Sequence, residues 1–188
     1  MYLILLEPTG SAHLLNVGGH RAAAHMVKLI KVVCNNSLRS LYKNVFPYLC
    51  EQVFHSTSLN GYNGIIRSGY ICCGNDDVKS IWSGGFFKMN KCVSFSDYYH
   101  CKSMLESCKG LRKYRFYDQN GTSVSYHFVL SPKYYRHLIT FFDIRDDWVK
   151  SGYKQILPFI ESGIRENVPL SWFDSIVELK IVDEQIGQ

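Results

Sequence analysis

The chain has 188 residues, 46% of them hydrophobic and 20% charged, with a formal net charge of +5. That length and balance exclude a disordered polyelectrolyte and describe a single globular domain able to bury a core. The aromatic share of 14%, with 13 Tyr and 11 Phe, suits a strand-rich fold.

Charge is unevenly spread. Lys28, Lys31, Arg39 and Lys43 make the early part basic, as do Lys102, Lys109, Arg112, Lys113 and Arg115 further on. From Asp143 onward the chain leans acidic through Asp146, Asp147, Glu161, Glu166, Glu178, Asp183 and Glu184. Such asymmetry permits a polyanionic partner. The apolar opening Tyr2-Leu3-Ile4-Leu5-Leu6 is too short for a membrane span and lacks a signal peptide's basic start, so no membrane partner is expected. The 7 cysteines form no Cys-x-x-Cys pair, and the spacing of Cys92, His100, Cys101 and Cys108 matches no standard zinc knuckle. Free thiols, no metal and a cytoplasmic setting are the expectation.

Taken in order, residues 1–26 read as a leader or mobile segment, with Gly10, Gly18, Gly19 and a run of Ala. The single domain then spans 27–188. From Val27, the positions Leu29, Ile30, Val33, Leu38 and Leu41 are spaced for one buried helical face, so an N-terminal helical segment is predicted, interrupted at Asn35-Asn36-Ser37. A short strand follows over 53–56 and runs into the polar cluster His55-Ser56-Thr57-Ser58. Leu59, Tyr62, Ile65 and Ile66 predict an amphipathic helix, capped by Ser58 or Asn60 and stopped at Gly69. Strands are predicted over 69–73 and 92–97, with Asp97 capping a helix over 98–108. Asn120-Gly121 marks the turn of a hairpin over 114–130. Ser131-Pro132 starts a short helical piece; a strand over 155–160 ends at Glu161, a loop covers 162–167, and a last strand runs 175–182. Helices early and strands late indicate an α+β fold.

Three landmarks stand in order: His55 in a strand-ending His-Ser-Thr, Ser94 and Ser96 in a Ser-Phe-Ser strand, and Glu161 at a late strand end. This order resembles the His-containing branch of the ADP-ribosyltransferase superfamily. The stretch "HSTSLNGYNGIIRSGYI" resembles that family's His-x-Thr start. The stretch "ILPFIESGIRENVPLSWFDSIVELKI" is similar to the late segment of DarT-type DNA ADP-ribosyltransferase toxins and related phage-defence proteins. The resemblance covers roughly 53–182 and implies a split β-sandwich holding NAD as co-substrate.

It further implies roles. Glu161 would be the catalytic carboxylate, stabilising an oxocarbenium-like sugar, with Glu166 as its rival. His55, counted as catalytic beside Glu161, and Thr57 would hold the ribose hydroxyls and fix its orientation, with Ser56 among the cofactor-binding residues. Ser94 and Ser96 would face the nicotinamide pocket, one of Tyr70, Tyr98 and Tyr99 would stack on the ring, and Gly69 would be a further cofactor-binding residue. The expected activity is mono-ADP-ribosyl transfer to DNA, RNA or protein by a toxin or phage-defence effector with a possible antitoxin partner. A silent binding module of the same fold and an NAD glycohydrolase are the alternatives. The run Lys109, Arg112, Lys113 and Arg115, interleaved with aromatics, is the candidate nucleic-acid contact; a charged edge strand would look the same.

Overall fold

Residues 27–35 form a strand buried on both faces, with Val27 and Leu29 turned into one core and Val32 and Cys34 into the other. The helix expected here gives way to period two because Val27, Ile30, Val32 and Val33 are β-branched and prefer an extended backbone. The helical part begins only at Leu38, after Ser37 caps it by accepting from the Ser40 amide.

The computed structural model describes residues 2–6, 12–16, 27–35, 37–73, 86–99, 123–150, 152 and 160–182. Ten strands are described: β1 Tyr2–Leu6, β2 Ala12–Asn16, β3 Val27–Asn35, β4 Val53–Thr57, β5 Tyr70–Ile71, β6 Val93–Asp97, β7 Ser123–Leu130, β8 Glu161–Ile164, β9 Val168–Pro169 and β10 Phe173–Val182. The helices are α1 Leu38–Asn44, α2 Phe46–Leu49, α3 Leu59–Ser68, α4 Phe86–Met89 and α5 Phe141–Lys150, with 3-10 turns at Pro132–His137 and Leu170–Trp172. Eight strands make one mixed sheet in the order β2-β1-β3-β10-β7-β4-β6-β8, and β5 pairs with β9 apart from it. The pairs β1–β3 and β3–β10 are parallel and the others antiparallel. This is an α+β architecture. Among the described residues no helix is long and apolar enough to cross a membrane.

Both faces of the sheet are covered. One carries Val53, Phe95, Phe128 and Ile176 beneath α3 and the β5–β9 ribbon, with Ile65, Ile71 and Val168 completing the core. The other carries Phe54, Val129, Val177 and Leu179 beneath Leu41, Val45 and Leu49 of α1 and α2. A third cluster sets Phe86 and Phe87 of α4 against Ile144 of α5.

Helix α3 begins and ends as its sequence dictates. Ser58 accepts from the Gly61 amide at its start, and Gly69 takes a left-handed φ of 81° at its end. Its two internal glycines differ. A Cβ on Gly61 would overlap Thr57 Oγ1, whereas one on Gly64 would meet nothing within 4 Å. Gly64→Ala should therefore stabilise the protein by about 0.5–1 kcal/mol through helix propensity. Gly61→Ala should destabilise it by about 1–3 kcal/mol through overpacking. Urea unfolding of the two variants checks the opposite signs; two stabilising changes would mean that Thr57 yields freely.

Two further expectations change. Glu161 opens strand β8 rather than ending one, and the expected loop is strand through Ile164. Ser162, Gly163 and Ile164 are buried, and Gly163 is compatible with a strand because its missing Cβ leaves room for the Phe87 ring. Asp97 is the last residue of β6 and is buried, and the helix it was expected to cap lies mostly outside the described residues. The proposed strand over 155–159, the first arm and turn of the hairpin, and most of the helix over 98–108 lie outside the described residues.

Candidate functional site

Strands β4, β6 and β8 lie side by side, although the segments are about 40 and 65 residues apart in the chain. The β4–β6 ladder has only two pairs, Val53–Asp97 and Phe54–Ser96. Beyond them, His55, Ser56 and Thr57 pair with β7 alone, while Phe95, Ser94 and Val93 pair with β8 alone. The sheet thus splits at His55.

Side chains directly opposite in an antiparallel ladder share a face. Phe54, Ser96 and Glu161 form one such row, so Ser96 and Glu161 are immediate cross-strand neighbours. Ser56 and Ser94 follow on the same face, one on each side of the split. Ser94 is exposed, Ser56 and Glu161 are half-buried, and Ser96 is buried. His55 and Thr57 belong to the opposite face with Phe95 and Tyr126. The structure therefore gathers Ser56, Ser94, Ser96 and Glu161, and sets His55 and Thr57 on the other side of the same split.

His55 reaches across the gap. Its Nδ1 lies 2.8 Å from the Ser94 carbonyl oxygen, which can only accept, so Nδ1 carries the proton. The neutral ring's Nε2 is then an acceptor, suited to a hydroxyl such as those of a ribose. The ring keeps some surface accessibility but is densely surrounded by protein. Burial lowers its pKa, partly opposed by the Ser94 carbonyl.

Behind it sits His127 on β7, wholly buried, a residue the sequence reading did not single out. Ser56 Oγ lies 2.8 Å from its Nδ1 and Ser125 Oγ 2.9 Å from its Nε2. Burial first, and the nearby His55 second, push its pKa down to about 3. The signal was present in Ser125 and His127, two apart on one strand face.

Both histidines bind fewer protons folded than unfolded once the pH falls below about 6.5, so their stabilisation is complete above that value and lost on acidification. From pH 7 to pH 5, His127 alone should cost roughly 2 kcal/mol. Urea unfolding at the two pH values should show that loss in wild type and a smaller one in His127→Gln. Equal losses would mean that His127 titrates normally.

The remaining predicted residues are dispersed. Tyr98 is 1% exposed and meets Phe54 edge-on at 4.9 Å, so it is a core ring rather than a stacking partner for a ligand. Gly69 and Tyr70 stand at the far end of α3, where the Gly69 carbonyl accepts from the Leu170 amide. Tyr70 is exposed, and Tyr99 is exposed against Tyr135. Glu166 pairs with His137 at 3.3 Å, and that ring lies against Trp172, itself stacked on Tyr134. Its carboxylate thus stands at an exposed rim, whereas Glu161 lies opposite Ser96 on β8, the last strand in the sheet order. Lys109, Arg112, Lys113 and Arg115 lie outside the described residues.

Comparison with protein-family models, with curated proteins and with solved structures finds no match in any of the three. The functional reading therefore rests on the chain's own residues.

Proposed function

We propose that this protein is an NAD-dependent mono-ADP-ribosyltransferase acting on a macromolecule, as a toxin or phage-defence effector. One observation carries the reading: the His55, Ser94–Ser96 and Glu161 segments, picked out by their order in the chain, occupy three consecutive strands of one sheet. The split between β4 and β6, with the separate β5–β9 ribbon, supports a split β-sandwich of the ADP-ribosyltransferase kind.

The donor sets fit the co-substrate. His55 Nε2 accepts from a ribose hydroxyl, and the Ser56 and Ser94 hydroxyls suit the oxygens of a dinucleotide. NAD supplies a glycosidic bond whose cleavage leaves positive charge on the sugar. Glu161, opposite Ser96 on β8, stabilises that charge and takes the proton of the attacking hydroxyl or base nitrogen as the new bond to the sugar forms. Its half-buried position raises the worth of the charge relative to water. Nicotinamide leaves with the electron pair of the broken bond.

His55→Ala should weaken NAD binding about tenfold, the worth of one good hydrogen bond, and lower the melting temperature by only a few degrees. Calorimetric titration beside a thermal melt checks this. A large fall in melting temperature with unchanged affinity would make His55 a structural residue.

A further inference from the structure

The buried His127 has two hydroxyl partners of unequal freedom. Ser125 is 2% exposed, and His127 Nε2 is its hydroxyl's one hydrogen-bond partner among the described residues. Ser56 is half-buried at the split, on the face that carries Ser96 and Glu161. A neutral imidazole has one donor and one acceptor nitrogen, so the two hydroxyls must be polarised in a single direction. If Nε2–H donated to Ser125, the Ser125 proton would be buried with no acceptor among the described residues, a costly arrangement. Ser125 therefore donates to Nε2. The ring proton then sits on Nδ1 and is given to Ser56 Oγ at 2.8 Å. The Ser56 oxygen is occupied on its inner side, and its own proton is left to point outward.

We propose that Ser56 is a directed O–H donor to an acceptor oxygen of the bound dinucleotide, with the direction set by Ser125 through His127. This deepens the NAD reading and rests on it. Ser56 makes the ligand contact; His127 and Ser125 are positioning residues, which act through it. The device needs no charge inside the sheet, because the ring stays neutral.

Heteronuclear NMR of the imidazole nitrogens, on free wild-type protein at pH 7, reads the His127 tautomer directly. A proton on Nδ1 is expected; a proton on Nε2 overturns the proposal. Ser125→Ala should then give a mixed tautomer, because neither orientation is enforced, and NAD affinity should fall between wild type and Ser56→Ala. Ser56→Ala should weaken NAD binding about tenfold in calorimetric titration, the value for one hydrogen bond. Ser56→Thr keeps the hydroxyl and should recover most of that loss. Unchanged affinity in Ser56→Ala overturns the ligand contact. If wild type takes up no NAD, the functional reading fails, while the tautomer in the free protein still decides whether the Ser56 proton is directed outward.

Discussion

Glu161→Gln is expected to slow ADP-ribosyl transfer by roughly 10²–10³-fold or more, as for other groups that stabilise charge only in the transition state. The substitution keeps size and most hydrogen bonding, and removes the negative charge beside Ser96. NAD affinity should change little, because the lost interaction belongs to the oxocarbenium rather than to the ground state. The melting temperature should stay near that of wild type, since Glu161 is half-buried at the first position of β8. Glu166→Gln is the control. Its carboxylate meets His137 at 3.3 Å at an exposed rim, and its removal should leave turnover within a few-fold. Single-turnover rates for the two variants decide the assignment, and the reverse order of losses would move catalysis to the loop after β8.

The largest stability effect is expected at Phe54, the wholly buried residue that begins the row Phe54–Ser96–Glu161. Its ring meets Tyr98 at 4.9 Å and His127 at 5.4 Å, both edge-on. Phe54→Ala removes those contacts and leaves a cavity between the sheet and α1–α2, at a cost of about 3–5 kcal/mol. That corresponds to a fall in melting temperature of roughly 6–20 °C for a chain of this size. Val33→Ala, on a strand of the same sheet but 58% exposed, should cost less than about 1 kcal/mol. Equal effects in the two would mean that Phe54 is not a core residue.

Legibility in the sequence followed how local the determinants are. Helix α3 could be read because Ser58 and Gly69 mark its ends by their own chemistry. The 3-10 turn Pro132–His137 was announced by Ser131-Pro132 in the same way. Segment 27–35 misled because Leu29, Ile30 and Val33 satisfy helical spacing while Val27 with Leu29, and Val32 with Cys34, each satisfy alternation on opposite faces; β10 and β1 on its two sides settle it as strand. Helix α5 was missed although Thr140 and Asp143 mark a helix start, the Thr140 amide and hydroxyl both donating to the Asp143 carboxylate, at 2.8 and 2.7 Å. Ser162 and Gly163 looked like loop residues, because nothing local reveals that Phe87 fills the space a Cβ would take.

The candidate site shows the same division. His55, Ser94, Ser96 and Glu161 were singled out by residue type, order and resemblance, and the sheet makes their strands neighbours. Which face each occupies depends on register, and register depends on pairings between distant segments. Ser56 and Glu161 therefore share a face that could not be read from the chain, and His127 joins them only through the β4–β7 ladder. Tyr98 was misplaced for a related reason. Phe54 and the α1–α2 cluster draw it into the core, and that contact is formed across 44 residues of chain.

The most direct test is to incubate the protein with NAD labelled in its adenylate half, offering DNA, RNA and protein separately, while following free nicotinamide. The expected result is label on one macromolecule, with nicotinamide released in equal amount, and neither event in Glu161→Gln. Nicotinamide release without macromolecular label would contradict transfer and make the protein an NAD glycohydrolase. No release with any acceptor would contradict the enzyme reading altogether and leave a binding module.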